Sequence, residues 1–396
     1  EPFELSYLKS REPLTFEEQK KGIFIPISVS ESWGENFECA WFKLNGKIPE
    51  SFAGEEVVAL INLGGEACIY DDSGNAIQGL TNKRIGTEFD EAEIKRRVLI
   101  SDCAKGNEEI ALLLDSGANN IMGAVEWNGT IIDDGTVNQA EIAIFKRNIW
   151  QLYLDYDLLN KLQAILDDDS RRKKLIVYAL NETINVFGQG EDENIEKCRQ
   201  VLKKELNRIA NSSAMNVSAI GHAHIDIAWL WPLRETVRKT ARSFSTALKM
   251  MDEYPEYKFG ASQPHLYQMV KDNHPGLYKR IKGAVKDGKW ECQGGMWVEA
   301  DCNLSGGESL VRQVLYGKKF FKEEFDQDVD NLWLPDVFGY SAALPQILIK
   351  SEINSFMTQK ISWNQFNRFP HHTFIWKGLD GTEIFSHFLC NDTYNS

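Results

Sequence analysis

No two cysteines in this sequence stand in a CxxC spacing, and the seven that occur, Cys39, Cys68, Cys103, Cys198, Cys292, Cys302 and Cys390, are scattered and odd in number. Their pattern argues against a cysteine zinc knuckle and a disulfide framework, and points to reduced thiols in a cytoplasmic protein. Apolar runs of membrane-spanning length are missing too, so no membrane partner is expected. Basic charge is scarce: 44 Lys and Arg stand against 58 Asp and Glu, a net charge of −14, whereas a nucleic-acid surface needs a basic patch. Low-complexity segments are absent. The sequence starts at Glu1 rather than Met, so the lack of a leader carries no weight.

What is present suffices for two or three domains: 396 residues, 43% apolar, with 11 Trp and 21 Phe to fill cores. Residues 1–148 read as an all-β sandwich. Short runs such as Glu38–Leu44, Glu56–Leu63 and Glu109–Leu114 are separated by turns at Asn45-Gly46, Ser73-Gly74-Asn75 and Asn128-Gly129. Residues 149–213 change to helical spacing in Asn148–Leu166, Lys173–Phe187 and Glu193–Ile209, broken by a loop from Gly188, and read as a helical connector with a solvated charged face.

From Asn216 onward, apolar strands alternate with amphipathic helices. The polar residues ending the first four strands, Asp226, Gln263, Asp301 and Asp336, are spaced by 37, 38 and 35. That is the rhythm of successive βα units, and it predicts an α/β barrel-like catalytic domain over 214–396, of the (β/α)7 type and incomplete here. Helices are expected over Arg234–Met251, from about Leu266, and over Gly307–Phe325. Later strands are expected at Ser355–Gln359, Thr373–Lys377 and Glu383–Phe388.

The first of these strands, read as buried from Val217 to Ile225, carries His222, His224 and Asp226 at alternate positions and therefore on one face. Burying two imidazoles and a carboxylate without partners would cost several kcal/mol. Together with Asp301 and Asp336 they supply donors for a cation such as zinc, and also the carboxyl pair that glycoside hydrolysis needs. A metal-dependent amidohydrolase or deacetylase would use much the same residues. A metallo-β-lactamase pattern would need His where Ile227 stands. A carbohydrate-binding fragment without turnover is a further alternative.

The blocks GHAHIDIAWLWP, GGMWVEADCNLSGGESLVRQVLYG from Gly294, WLPDVFGYSAALPQIL from Trp333 and FPHHTFIWKGLDGTEIFSH from Phe369 resemble, in order, those of glycoside hydrolase family 38, the retaining α-mannosidases, and are most similar to its cytosolic and bacterial branch. The resemblance implies a zinc-dependent enzyme acting on terminal α-mannosides of oligosaccharides through a covalent glycosyl-aspartate. It implies His224, Asp226 and Asp301 as zinc ligands, Asp301 also as the nucleophile, and Trp229 and Asp336 as substrate-binding residues. His222 then supports rather than coordinates, and Cys302 is a small buried neighbour of the nucleophile. No motif makes His371, His372 or His387 a ligand. The fourth zinc ligand and the general acid are expected beyond Ser396, in a longer enzyme. A homo-oligomer is compatible with the resemblance.

Overall fold

The structure is a computed structural model that describes residues 1–81, 95–119, 135–188, 192–210, 212–367 and 369–389. The turn at Asn128-Gly129, residues 189–191 of the connector loop, and Cys390 lie outside the described residues.

The chain opens as a sandwich. Strands β1 (Glu4–Ser10), β2 (Ile25–Ile27), β3 (Cys39–Lys47), β5 (Glu66–Tyr70), β6 (Ala76–Leu80) and β8 (Glu109–Gly117) form a six-stranded sheet in the order β2-β1-β3-β8-β5-β6. Strands β4 (Val57–Asn62), β7 (Arg97–Ser101) and β9 (Gln139–Ile144) form the second sheet, in the order β7-β4-β9. Alternate side chains such as Phe42, Leu44, Ala59, Ile61 and Ile142 meet between the sheets as a dry core. The short helix α1 (Phe16–Gln19) links β1 to β2 and starts at Thr15, whose side chain and that of Glu18 form a capping box.

Helices α2 (Arg147–Ile165), α3 (Arg171–Phe187) and α4 (Asp192–Leu206) follow as a three-helix unit with its own core of Leu152, Leu159, Ile176, Leu180, Ile195 and Leu202. Arg147 ties the start of α2 back to the sandwich through Glu56, with Nη2 2.6 Å from Oε1.

The remainder alternates strand and helix: β10 (Gly221–His222), α5 (Leu233–Glu253), β11 (Phe259–Ala261), α6 (Pro264–Asn273), α7 (Pro275–Lys286), β12 (Trp290–Cys292), α8 (Gly307–Phe325), β13 (Asn331–Leu334), α9 (Leu344–Lys350), β14 (Ser355–Thr358), β15 (Thr373–Lys377) and β16 (Glu383–Phe388). Proline opens α6, α7 and α9 near their first residue, where a missing N–H costs nothing. Strands β10-β11-β12 pair in parallel, and β13-β14-β16 do likewise, with β15 antiparallel at the edge. The two sheets adjoin where Gly295 N donates to Asn331 O at 2.9 Å.

The first strand is much shorter than the sequence suggests. Only Gly221 and His222 pair, and with β11 alone, while Val217 and Ile220 are 86% and 59% exposed. An apolar run makes a buried strand only where neighbours cover it. Among the described residues none pairs with β10 on its other side.

The core of this region is continuous with the outer face of the six-stranded sheet: Trp41, Cys68, Tyr70 and Ala76 pack with Phe244, Leu248, Tyr267 and Trp290 in one cluster. Helix α5 is therefore wedged between domains. Gly79 on β6 permits the approach, since a Cβ there would lie 2.8 Å from Arg242 Cβ. The face of α5 turned to the sheet is charged. Arg238 grips Asp115 with Nε and Nη2 at 2.9 and 2.7 Å and reaches Glu235 at 2.9 Å. Arg242 Nη2 donates to Glu66 and Glu235, at 2.9 and 2.5 Å.

Burial alone would raise the Glu235 carboxyl, but the charges of Arg238, Arg242 and Lys239 outweigh it and hold it down at about 2, from an ordinary value of 4.5. A carboxyl lowered on folding stabilises the fold above its unfolded pKa, and that contribution disappears as pH falls through the folded one. We expect thermal unfolding to show a stability gap between the wild type and Glu235→Gln that is constant above about pH 5. The gap should close as pH falls toward about 2. A gap that does not change with pH would contradict the assignment.

Candidate metal centre

The carboxyl ends of β10, β12, β13 and β14 deliver polar side chains to one place, as parallel α/β sheets do. After His222 the backbone leaves the strand, so the alternation expected through Asp226 is broken. His222 turns aside: its Nδ1 lies 2.8 Å from Gly260 O, and its ring packs on Trp333 at 4.9 Å. Burial lowers it to about 4, which keeps it neutral. It braces β10 against β11.

His224 is the hub. Its Nε2 lies 3.4 Å from Asp226 Oδ1 and 3.4 Å from Asp336 Oδ2, and its Nδ1 lies 3.4 Å from Glu299 Oε2. The ring side chain is only 12% exposed. Burial opposes its charge, yet the hydrogen bonds and charges of Asp226 and Glu299 outweigh burial and raise it to about 10. Three carboxylates around one imidazole demand a cation. A proton on His224 is one solution; a metal ion between Nε2, Asp226 and Asp336 is the other. Among the described residues, one donor atom from each of His224, Asp226 and Asp336 lies within 4.8 Å of the others. With Nδ1 turned to Glu299, the Nε2 lone pair is directed at the two aspartates, the carboxylate–histidine–metal arrangement of known metal sites. The donor set, one imidazole and two carboxylate oxygens, suits zinc and leaves positions open.

Asp336 is held from behind. Lys360 Nζ lies 2.6 Å from its Oδ1 and 3.3 Å above the Trp363 ring. Burial lowers the Lys360 ammonium while the charge of Asp226 raises it, with a net decrease. Gln263 links the pieces: Nε2 donates to Ile225 O at 2.9 Å, and Oε1 accepts from Glu299 N at 3.1 Å. It does so at φ 63°, a left-handed conformation costly for a residue with a side chain. Ser262 Oγ donates to Glu299 Oε1 at 3.2 Å. His224, Asp226, Ile227, Ala228, Gln263, Val298 and Glu299 line a small cleft, and Trp229, 42% exposed, follows Ala228.

Of the residues read from sequence, His224, Asp226 and Asp336 are brought together. Asp301, expected as a ligand, lies on the exposed loop between β12 and α8, where its Oδ1 accepts from Asn303 N and Leu304 N at 2.8 and 2.7 Å. Among the described residues, the donor atoms that meet within 4.8 Å of one another are those of His224, Asp226 and Asp336. Cys302 is 1% exposed, and burial followed by the charge of Asp301 pushes its thiol up to about 12, which removes it as a nucleophile. His387 bonds Thr373 on the β15–β16 hairpin. Sequence reasoning did not assign roles to Glu299, Gln263 or Lys360. Gln263 closely follows β11 and Glu299 closes the apolar run that begins in β12, which is the signal that could have flagged them; Lys360 carried none.

With this geometry in hand, likeness to known proteins is informative. Residues 214–396 match "Glycosyl hydrolases family 38 N-terminal domain", and residues 1–143 match "Alpha-mannosidase, jelly roll domain". The chain is 37% identical over 395 residues to alpha-mannosidase 2C1 of Homo sapiens, covering 98% of this chain and 37% of that one. It is 38% identical over 380 residues to alpha-mannosidase G of Dictyostelium discoideum, covering 93% and 34%. To alpha-mannosidase of Saccharomyces cerevisiae it is 31% identical over 402 residues, covering 96% and 36%. The chain thus spans little more than a third of the length of these curated relatives.

Proposed function

Because this chain belongs to glycoside hydrolase family 38, we propose that its strand-end cluster is the zinc site of an α-mannosidase that hydrolyses terminal α-mannosides of oligosaccharides with retention. The observation that carries this is the convergence of His224 Nε2, Asp226 and Asp336, with Glu299 behind the imidazole, inside the matched domain. We read β10 to β14 and β16 as part of the wall of a (β/α)7 barrel whose carboxyl-end face holds the site. The buried thiols favour a reducing, cytosolic setting.

His224, Asp226 and Asp336 would hold zinc. Bound there, the ion would polarise and orient sugar hydroxyl groups. The chain's own residues do the rest. Asp301, its Oδ1 fixed by two backbone N–H groups, presents Oδ2 to the anomeric carbon. A bond forms from Oδ2 to that carbon as the glycosidic C–O bond breaks, and the leaving oxygen takes a proton from a second carboxyl group about 5–5.5 Å away. Water then cleaves the glycosyl-aspartate by the reverse proton path. Asp336 is held in place by Lys360, and the exposed face of Trp229 would bind the sugar beside this chemistry.

The test is hydrolysis of an aryl α-mannoside by the natural full-length protein before and after removal of metal by a chelator. Loss of turnover on chelation, with recovery on adding zinc, is the expected result. A zinc-loaded protein that turns over no α-mannoside would sink the reading and promote a metal-dependent amidohydrolase.

A further inference from the structure

Loop 227–232 carries Ile227 and Ala228 into the cleft and Trp229 beside it, and it is fastened from behind. Thr236 Oγ1, on the first turn of α5, donates to Ile227 O at 2.5 Å and accepts from Trp231 Nε1 at 3.2 Å. Trp231, 9% exposed, meets Trp229 edge to face, with ring centroids 5.5 Å apart at 89°. On Trp231 rests the ammonium of Lys239, 4.5 Å from the ring centroid. That same Nζ lies 2.5 Å from Glu66 Oε2 on β5 of the sandwich. Glu66 is itself buried and immobilised, accepting from Asn119 Nδ2 at 2.9 Å and Arg242 Nη2 at 2.9 Å, while its backbone N donates to Asn119 O at 3.0 Å.

These contacts run unbroken from the sandwich to the site: Glu66, Lys239, Trp231, Trp229. A buried ammonium over an indole is attracted to the ring face, the more so once desolvated, and its ion pair decides where it sits. The ring beneath it can then take only one position, and an edge-to-face neighbour inherits that position. An exposed tryptophan otherwise samples several rotamers, and a sugar that stacks on it must bear the cost of ordering it.

We propose that Lys239, seated by Glu66 of the sandwich, is a positioning residue for the active site, acting through Trp231 to preorganise Trp229 as a stacking platform for the sugar ring. The jelly-roll domain is therefore a structural part of substrate recognition rather than an appended module. The identity of the ligand rests on the mannosidase reading above; the ordering of Trp229 does not.

The experiment uses the full-length protein labelled with 5-fluorotryptophan, with the Trp229 resonance assigned by its loss in Trp229→Phe. In Lys239→Met the Trp229 fluorine signal is expected to broaden or split, and KM for an aryl α-mannoside to rise on the order of tenfold with kcat changed much less. Lys239→Arg, which keeps the cation over Trp231 and the bond to Glu66, should restore both. Should Lys239→Met fail to fold, Lys239→Gln removes the cation while keeping a hydrogen bond to Glu66, and the same broadening is expected. An unchanged Trp229 signal in a folded Met or Gln variant overturns the proposal. So does broadening that Arg fails to restore. If the wild type hydrolyses no α-mannoside, the function fails, and the fluorine signal still decides the coupling.

Discussion

Asp301→Asn in the full-length enzyme is expected to lower kcat for an activated aryl α-mannoside by on the order of 10⁴-fold, the scale seen when a covalent catalyst is removed from a site that still binds. The variant should fold as the wild type does. An asparagine Oδ1 accepts the Asn303 and Leu304 amide protons as the carboxylate does, so the turn that shapes the loop is preserved. What it loses is the charged oxygen that, in the mechanism proposed above, forms the glycosyl bond. Two further readouts separate a nucleophile from a merely placed carboxylate. Added azide should restore turnover in Asp301→Asn and give an inverted glycosyl azide, because a small anion can occupy the vacated face of the sugar. Zinc content should fall only if Asp301 also coordinates, whereas His224→Ala should strip the metal outright. Asp301→Asn that retains activity within a few-fold of wild type would place the nucleophile elsewhere, with Glu299 the next carboxylate to examine.

Arg238→Met is expected to cost about 3–5 kcal/mol of stability, because it strands carboxylates that cannot reach water. Arg238 is 5% exposed, and its guanidinium serves Asp115 of the sandwich and Glu235 of α5 together. Removing it leaves Asp115, 8% exposed at its side chain, facing Glu235 across the interface. Replacing Asp115 as well, in Arg238→Met/Asp115→Leu, should recover much of the loss, since an apolar pair of similar volume carries no desolvation cost. Urea unfolding of the two single variants and the double variant measures this directly. Additive losses would mean that the pair does not act as a unit. Because α5 leads straight out of the loop that follows Asp226, the same variants should also loosen the site.

Much was legible in the sequence because it is local. Helix Gly307–Phe325 and strands Asn331–Leu334, Thr373–Lys377 and Glu383–Phe388 stand where their patterns place them, since periodicity and turn chemistry act over a few residues. The sandwich was readable from short alternating strands between Gly and Asn turns. Val217–Ile220 misled for the opposite reason. A run of apolar residues states a capacity for burial, while the burial itself depends on neighbours far away in the chain.

The candidate site divides in the same way. His224 and Asp226 were identifiable because residues two apart stay close together even where the strand has ended, and Asp336 because βα spacing puts it at the same end of the domain. Glu299 behind His224, Lys360 against Asp336 and Gln263 in a left-handed turn were not assigned, because each acquires its role only from a partner tens of residues away. The charges of α5 make the point most sharply: nothing local in the sequence shows that Glu235, Arg238, Lys239 and Arg242 are buried.

By itself, then, the sequence determined which residue types reach the carboxyl ends of the strands, and in what order, because covalent spacing and backbone periodicity set both. Only the tertiary structure decided which carboxylates share an imidazole. It also decided that His222 faces Gly260 instead of a metal, and that a sheet laid down by residues 39–117 covers a helix beginning at Leu233. Those outcomes follow from packing and from the pairing of buried charge, which depend on distances through space that no local pattern encodes.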